Sequence, residues 1–115
     1  MRERVWREGE EAARRTYIER GYRLLARNWR CPLGELDLVL ARDGVVVFCE
    51  VKARRPSALG GPFEAVTPAK QRKIRALAQV FCSSERPAAQ RYRFDVASVS
   101  VRGREVDVHL FEDAF

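Results

Sequence analysis

Apolar and polar positions follow two rhythms along the chain. Over residues 3–20 they recur at helical spacing, with Trp6, Ala13 and Tyr17 on one face and Gly21 as the closing residue. The period then shortens. Tyr22 to Trp29 reads as a strand of mixed burial, Cys31-Pro32-Leu33-Gly34 as a turn, and Glu35 to Ala41 as a second strand. Arg42-Asp43-Gly44 predicts a tight hairpin leading into a third strand, Val45 to Lys52, whose Val-Val-Val-Phe-Cys run suits a central position covered on both faces. Residues 54–66, with two prolines, two arginines and the Gly60-Gly61 pair, read as a mobile loop. Thr67-Pro68 is a helix start, threonine as N-cap and proline in the first turn, and Ile74, Leu77, Ala78 and Phe81 form the buried stripe of that helix. Arg91 to Val101 and Glu105 to Phe111 complete the pattern as strands around Arg102-Gly103. The expected order is α-β-β-β-α-β-β, an α/β domain with a mixed sheet flanked by helices.

A chain of 115 residues has room for one such domain, spanning 1–115, with a core that needs no staples. The opening MRERVWREGEEAARR is too charged for a signal peptide, and no apolar run approaches the roughly 18 residues of a membrane span. A soluble cytoplasmic protein with no membrane partner is expected. Cys31, Cys49 and Cys82 are widely spaced with no CxxC pair, which argues against a disulfide scaffold or a thiolate zinc site. With His109 as the only histidine, triads and histidine metal sites lose their material. A net charge of +6 favours a polyanionic partner, and the remaining chemistry falls to carboxylates, lysine and arginine.

Those residues concentrate in the central hairpin. Alternate side chains of a strand share a face, so Glu35 and Asp37 lie together, as do Glu50 and Lys52, while Leu36, Leu38, Cys49 and Val51 are expected to point the other way into a core. Asp37 and Glu50 on adjacent strands can converge; two facing carboxylates repel, and oxygen-only ligands suit Mg2+ or Mn2+. On the first helix Glu10 falls within the apolar stripe, whereas Glu11 shares its face with Arg4, Arg7, Glu8, Arg14 and Arg15 and reads as solvated. Each feature has a plainer alternative. Glu50 and Lys52 could be an ion-pair set at a sheet end; Glu10 could pair with an arginine of the first strand; Glu35 could cap the turn or bind an arginine; and the basic second helix could be a solvated face. Trp6, Trp29 and Tyr92 read as packing residues, His109 as structural, and Cys49 and Cys82 as small hydrophobes.

Asp37, twelve intervening residues and then Glu50-Val51-Lys52 resembles the PD-(D/E)xK nuclease pattern, although no proline precedes Asp37. The wider run is similar to the YraN-like (UPF0102) family: Gly9-Glu10, Gly21-Tyr22, Arg27-Asn28, Gly34-Glu35-Leu36-Asp37, Phe48-Cys49-Glu50-Val51-Lys52 and Arg54, then Val66, Lys70, Arg93-Phe94-Asp95-Val96 and Ala114-Phe115. Cys49 and Ala53 stand where that family usually has valine and often threonine. The family resembles Holliday-junction resolvases and restriction-endonuclease-like domains, which implies that fold and, less directly, a Mg2+-dependent endonuclease. It implies roles as well. Asp37 and Glu50 would hold the ion, with Glu10 and the Val51 carbonyl completing the shell, and Lys52 would orient the attacking water or stabilise developing charge. Arg54, Arg55, Lys70, Arg72 and Lys73, followed by Arg75, would contact nucleic-acid phosphates, with Glu35 and Gln71 as secondary candidates. The expected substrate is junction or branched DNA in preference to RNA, and a homodimer would suit the cleavage of two strands. The competing expectation is a non-catalytic nucleic-acid-binding module of the same fold.

Overall fold

The computed structural model describes residues 2–55 and 66–115. Helix α1 (Arg2–Glu19) leads into strands β1 (Arg23–Cys31), β2 (Gly34–Arg42) and β3 (Val45–Arg54); helix α2 (Pro68–Glu85) then crosses to β4 (Arg91–Arg102) and β5 (Glu105–Phe111). The order α-β-β-β-α-β-β is the one the periodicity predicts, with boundaries shifted by one or two residues. The strands form one mixed sheet in the order β1-β2-β3-β4-β5, in which β3 pairs parallel with β4 and every other neighbour is antiparallel. This is the architecture the restriction-endonuclease-like resemblance implies. No helix among the described residues is long and apolar enough to cross a membrane.

Local chemistry explains the corners. Asp43 and Gly44 both adopt positive φ (48° and 78°), which matches the right-handed twist of the flanking strands and closes a two-residue loop. Thr67 caps α2, its hydroxyl accepting from the Lys70 N–H at 3.2 Å, and Pro68 occupies the first turn, where a missing N–H costs nothing. The last turn of α1 is closed by the Tyr22 N–H, which reaches back to the Tyr17 carbonyl at 3.1 Å.

The sheet separates two cores. Under α1, Val5, Ala13 and Tyr17 pack on Leu38, Leu40, Val47, Cys49, Val51, Ala97 and Val99. Under α2, Ile74, Leu77, Ala78 and Phe81 pack on Val39, Ala41, Val46, Phe48 and Val96. Strand β3 supplies both, which is why its apolar run is continuous, and each such side chain contributes about 1.5–3 kcal/mol when fully buried. Gly9 sets the approach of α1: a Cβ there would lie 2.3 Å from Ala53 Cβ on β3.

Four expectations change. Val5 takes the core position on α1, while Trp6 is half-buried at its margin. Glu11 is not simply solvated, because Arg14 and Arg27 ion-pair with it. Leu36 joins the α2 core, not the α1 core of Leu38, Cys49 and Val51. Finally, Arg54 ends β3 and Val66 is buried, so the expected 54–66 loop begins and ends inside structure; its residues 56–65, with Gly60-Gly61, lie outside the described residues.

Candidate active site

The site begins where a ladder ends. Strands β2 and β3 pair from Arg42↔Val45 as far as Leu38↔Cys49, and the next rung would join Asp37 to Glu50. That rung is not made. β2 stays on β1 through Trp29↔Leu36 and Arg30↔Glu35, so β1 and β2 swing away together and β3 continues alone beside β4. The divergence also carries Leu36 to the α2 side, breaking the simple alternation. In place of the ladder bond, the Val51 N–H donates to Asp37 Oδ2 at 2.8 Å. Burial pushes the Asp37 carboxyl up to about 8, and the charge of Glu50 adds to the rise. The hairpin therefore brings Asp37 and Glu50 together, as their positions predict.

A cleft of about 430 Å³ opens over this pair. Its walls carry Glu35 from β2, Lys52 from β3, and Lys70 and Lys73 from α2, with Trp6, Ile74 and Leu77 as apolar lining. Lys70 Nζ lies 3.1 Å from Glu50 Oε2, pairing a half-exposed lysine (47% of the side chain) with an enclosed carboxylate (11%). Lys52 has no ion-pair partner among the described residues. Lys73 reaches the cleft across Gly34, where an added Cβ would sit 3.1 Å from Lys73 Cε.

Glu10 is inward, as the stripe predicts, and wholly buried. It is held by an arginine of the first strand: Arg27 Nη2 lies 2.9 Å from Oε1, and Asn28 Nδ2 donates to the same oxygen at 3.2 Å. Asn28 sits at φ 50° inside β1, a left-handed conformation that asparagine tolerates. Desolvation raises the Glu10 carboxyl against these partners, and neither Glu10 Oε2 nor Asn28 Oδ1 has a hydrogen-bond partner among the described residues. The charge of Glu10 reaches Asp37 and adds a little to the rise of its carboxyl. Among the described residues no three His, Cys, Asp or Glu side chains are grouped to hold a metal ion, so two of the three expected acids meet directly. Two facing carboxylates, one raised by the other's charge, remain a donor set that fits Mg2+ or Mn2+.

The other predicted residues divide. Glu35 pairs with Arg30 at 2.8 Å, the arginine alternative. Gln71 donates to the Val66 carbonyl at 2.8 Å and fixes the start of α2, outside the cleft lining. Arg72 is exposed on α2 and is not part of that lining. Arg55 lines a separate basic groove with Arg4 and Arg102, past Arg54 at the end of β3. Arg75 stacks 4.6 Å over the Phe94 ring. Of the packing aromatics, Trp29 meets Phe81 edge-on and Tyr92 lies beside Phe48, but Trp6 forms cleft wall. That role was missed; the margin position of Trp6 beside Glu10 was the available signal.

One buried acid belongs to another system. Asp95 on β4 is wholly buried and accepts from Tyr17 Oη at 2.7 Å, from Arg93 Nε at 2.9 Å and Nη2 at 2.8 Å, and from the Asp113 N–H at 2.9 Å. It ties α1 and the C-terminal residues to the sheet and uses up its own acceptors.

Comparison with known proteins gives a consistent result. The family model described as "Uncharacterised protein family UPF0102" matches residues 9–99. A UPF0102 protein of Caldicellulosiruptor saccharolyticus is 39% identical over 109 residues, covering 93% of this chain and 92% of the relative. One from Desulfosudis oleivorans is 40% identical over 115 residues, covering 100% and 92%. A third, from Mycolicibacterium gilvum, is 46% identical over 95 residues, covering 80% and 77%.

Proposed function

The chain belongs to the UPF0102 family, and from that premise and the geometry of its cleft we propose that it is a divalent-metal-dependent endonuclease hydrolysing DNA phosphodiester bonds, with junction or branched DNA as its substrate class. One observation carries the reading: the pair Asp37 and Glu50 meets where the β2–β3 ladder stops, at the floor of a cleft whose walls carry three lysines. A binding surface for a polyanion gains nothing from two enclosed carboxylates. A hydrolytic site needs both signs, acids to hold a cation and cations to hold a phosphate.

Asp37 and Glu50 would hold the ion, with the Val51 carbonyl as a further ligand and Glu10 adding negative charge to the site. When bound, Mg2+ or Mn2+ supplies charge neutralisation at the scissile phosphate and acidifies a water. Lys52, without an acid partner among the described residues, would orient that water or meet the charge that develops on the phosphate. Lys70 and Lys73 contact the phosphates at the mouth of the cleft, and the groove of Arg4, Arg55 and Arg102 offers a further backbone contact. Junction preference rests on the resemblance to Holliday-junction resolvases.

The test is cleavage of labelled linear, flapped and four-way-junction DNA in Mg2+ and Mn2+. Wild type is compared with the Asp37→Ala, Glu50→Ala double variant, and circular dichroism checks that both fold. Metal-dependent cleavage by wild type and its loss in the folded variant is the expected result. No cleavage by either, with equal and salt-sensitive binding by both, would replace this reading with a non-catalytic nucleic-acid-binding module.

A further inference from the structure

Glu50 is enclosed beside Asp37, and a carboxylate in that position needs a compensating cation. Lys70 is the residue that meets it, at 3.1 Å. Its backbone is fixed, because its own N–H is the one that Thr67 Oγ1 accepts at the N-cap of α2. Its side chain is 47% exposed, so solvent is within reach of the ammonium that meets Glu50. The same cleft holds Lys52 and Lys73, which make no ion pair with any described residue.

We infer that Lys70 is a displaceable counter-ion, a positioning residue that occupies the cation's place on Glu50 and is released toward the substrate phosphate when a divalent cation arrives. The inference rests on the metal-dependent reading above and specifies its order. A divalent cation carries twice the charge and competes for the same Glu50 oxygen, so Lys70 and the cation exclude each other there. Once displaced, the ammonium stays tethered at the first turn of α2, at the cleft mouth. The cleft changes from a site with one lysine committed to Glu50 to one in which three ammoniums face outward. Cation binding and phosphate binding are thereby coupled through a single side chain, and the coupling is reciprocal.

The test uses the full chain as wild type, Lys70→Met and Lys70→Gln, the second neutral variant guarding against a folding defect in the first. Mn2+ affinity is read from the electron-paramagnetic signal of free Mn2+. Binding of a labelled four-way junction is read with and without saturating Ca2+. Removing the competitor should tighten Mn2+ binding about tenfold, within the usual range of coupling between sites. The same variants should bind the junction several-fold more weakly in Ca2+ and no differently from wild type without it. Opposite signs for the two ligands are not what a merely structural lysine produces. Unchanged or weaker Mn2+ binding in the variants overturns the inference and leaves the metal-dependent reading standing, as does an equal loss of junction binding with and without Ca2+. Absence of Mn2+ binding in wild type itself brings down the metal-dependent reading and this inference with it.

Discussion

Two inward-facing aspartates lie on opposite faces of the same sheet, and their surroundings treat them differently. Asp95, on the α1 face, accepts hydrogen bonds from Tyr17, from Arg93 and from the Asp113 N–H, and the guanidinium cancels its charge. Asp37, on the α2 face, has the Val51 N–H and then a second carboxylate, Glu50, whose charge opposes its own. The first arrangement is complete and has only structural work to do. The second sets two carboxylates against each other in a cleft open to solvent, with Lys70 paired to Glu50. A buried acid is therefore informative through its partners and not through its burial, and a carboxylate pair held in repulsion needs something from outside the chain.

The contrast is broken most forcefully at Asp95. Asp95→Ala leaves the Arg93 guanidinium, whose side chain is 12% exposed, without its main partner, and should cost about 3–5 kcal/mol in urea unfolding. A loss under about 1 kcal/mol would mean that the network is ornamental and the distinction false.

The next effect has the opposite character. The Asp37 carboxyl is raised to about 8 in the folded protein, so between about pH 4 and pH 8 the folded state binds a proton that the unfolded chain has released. Without divalent cations, stability from this group is present at low pH and is lost as pH rises through 8. The loss builds up between about pH 4 and pH 8, and Asp37→Asn should flatten that part of the curve. A wild-type profile that rises over this range, with the variant unchanged, would show that Asp37 is as well satisfied as Asp95. The smallest effect tests how completely Asp95 is satisfied. Tyr17→Phe removes one donor among several and should cost about 1 kcal/mol in the same assay, with no change in the pH dependence attributed to Asp37.

How much of this was legible in the sequence depends on distance along the chain. The meeting of Asp37 and Glu50 was readable because a two-residue turn at Asp43-Gly44 fixes the register of the hairpin they share. The start of α2 was readable for the same reason, since Thr67 and Pro68 act within one turn. The inward face of Glu10 followed from periodicity, but Arg27 and Asn28 as its holders depended on a kink in β1 that no local pattern announces. Leu36 failed because alternation holds only while the ladder does. The role of Asp95 was hidden because Tyr17 lies 78 residues away. Lys70, Lys73, Arg72 and Arg75 look equivalent in a string. The pitch of one helix sends two of them to the cleft, one to solvent and one onto an aromatic ring.

The bond from the Val51 N–H to Asp37 Oδ2 has a practical corollary. A main-chain amide that would ordinarily report on its neighbouring strand is instead wired to the carboxylate at the centre of the cleft. Its resonance in a two-dimensional nitrogen–proton spectrum should therefore move with the charge of Asp37 while the rest of β3 stays still. The protein carries a built-in gauge of its own cleft, readable without substrate or turnover.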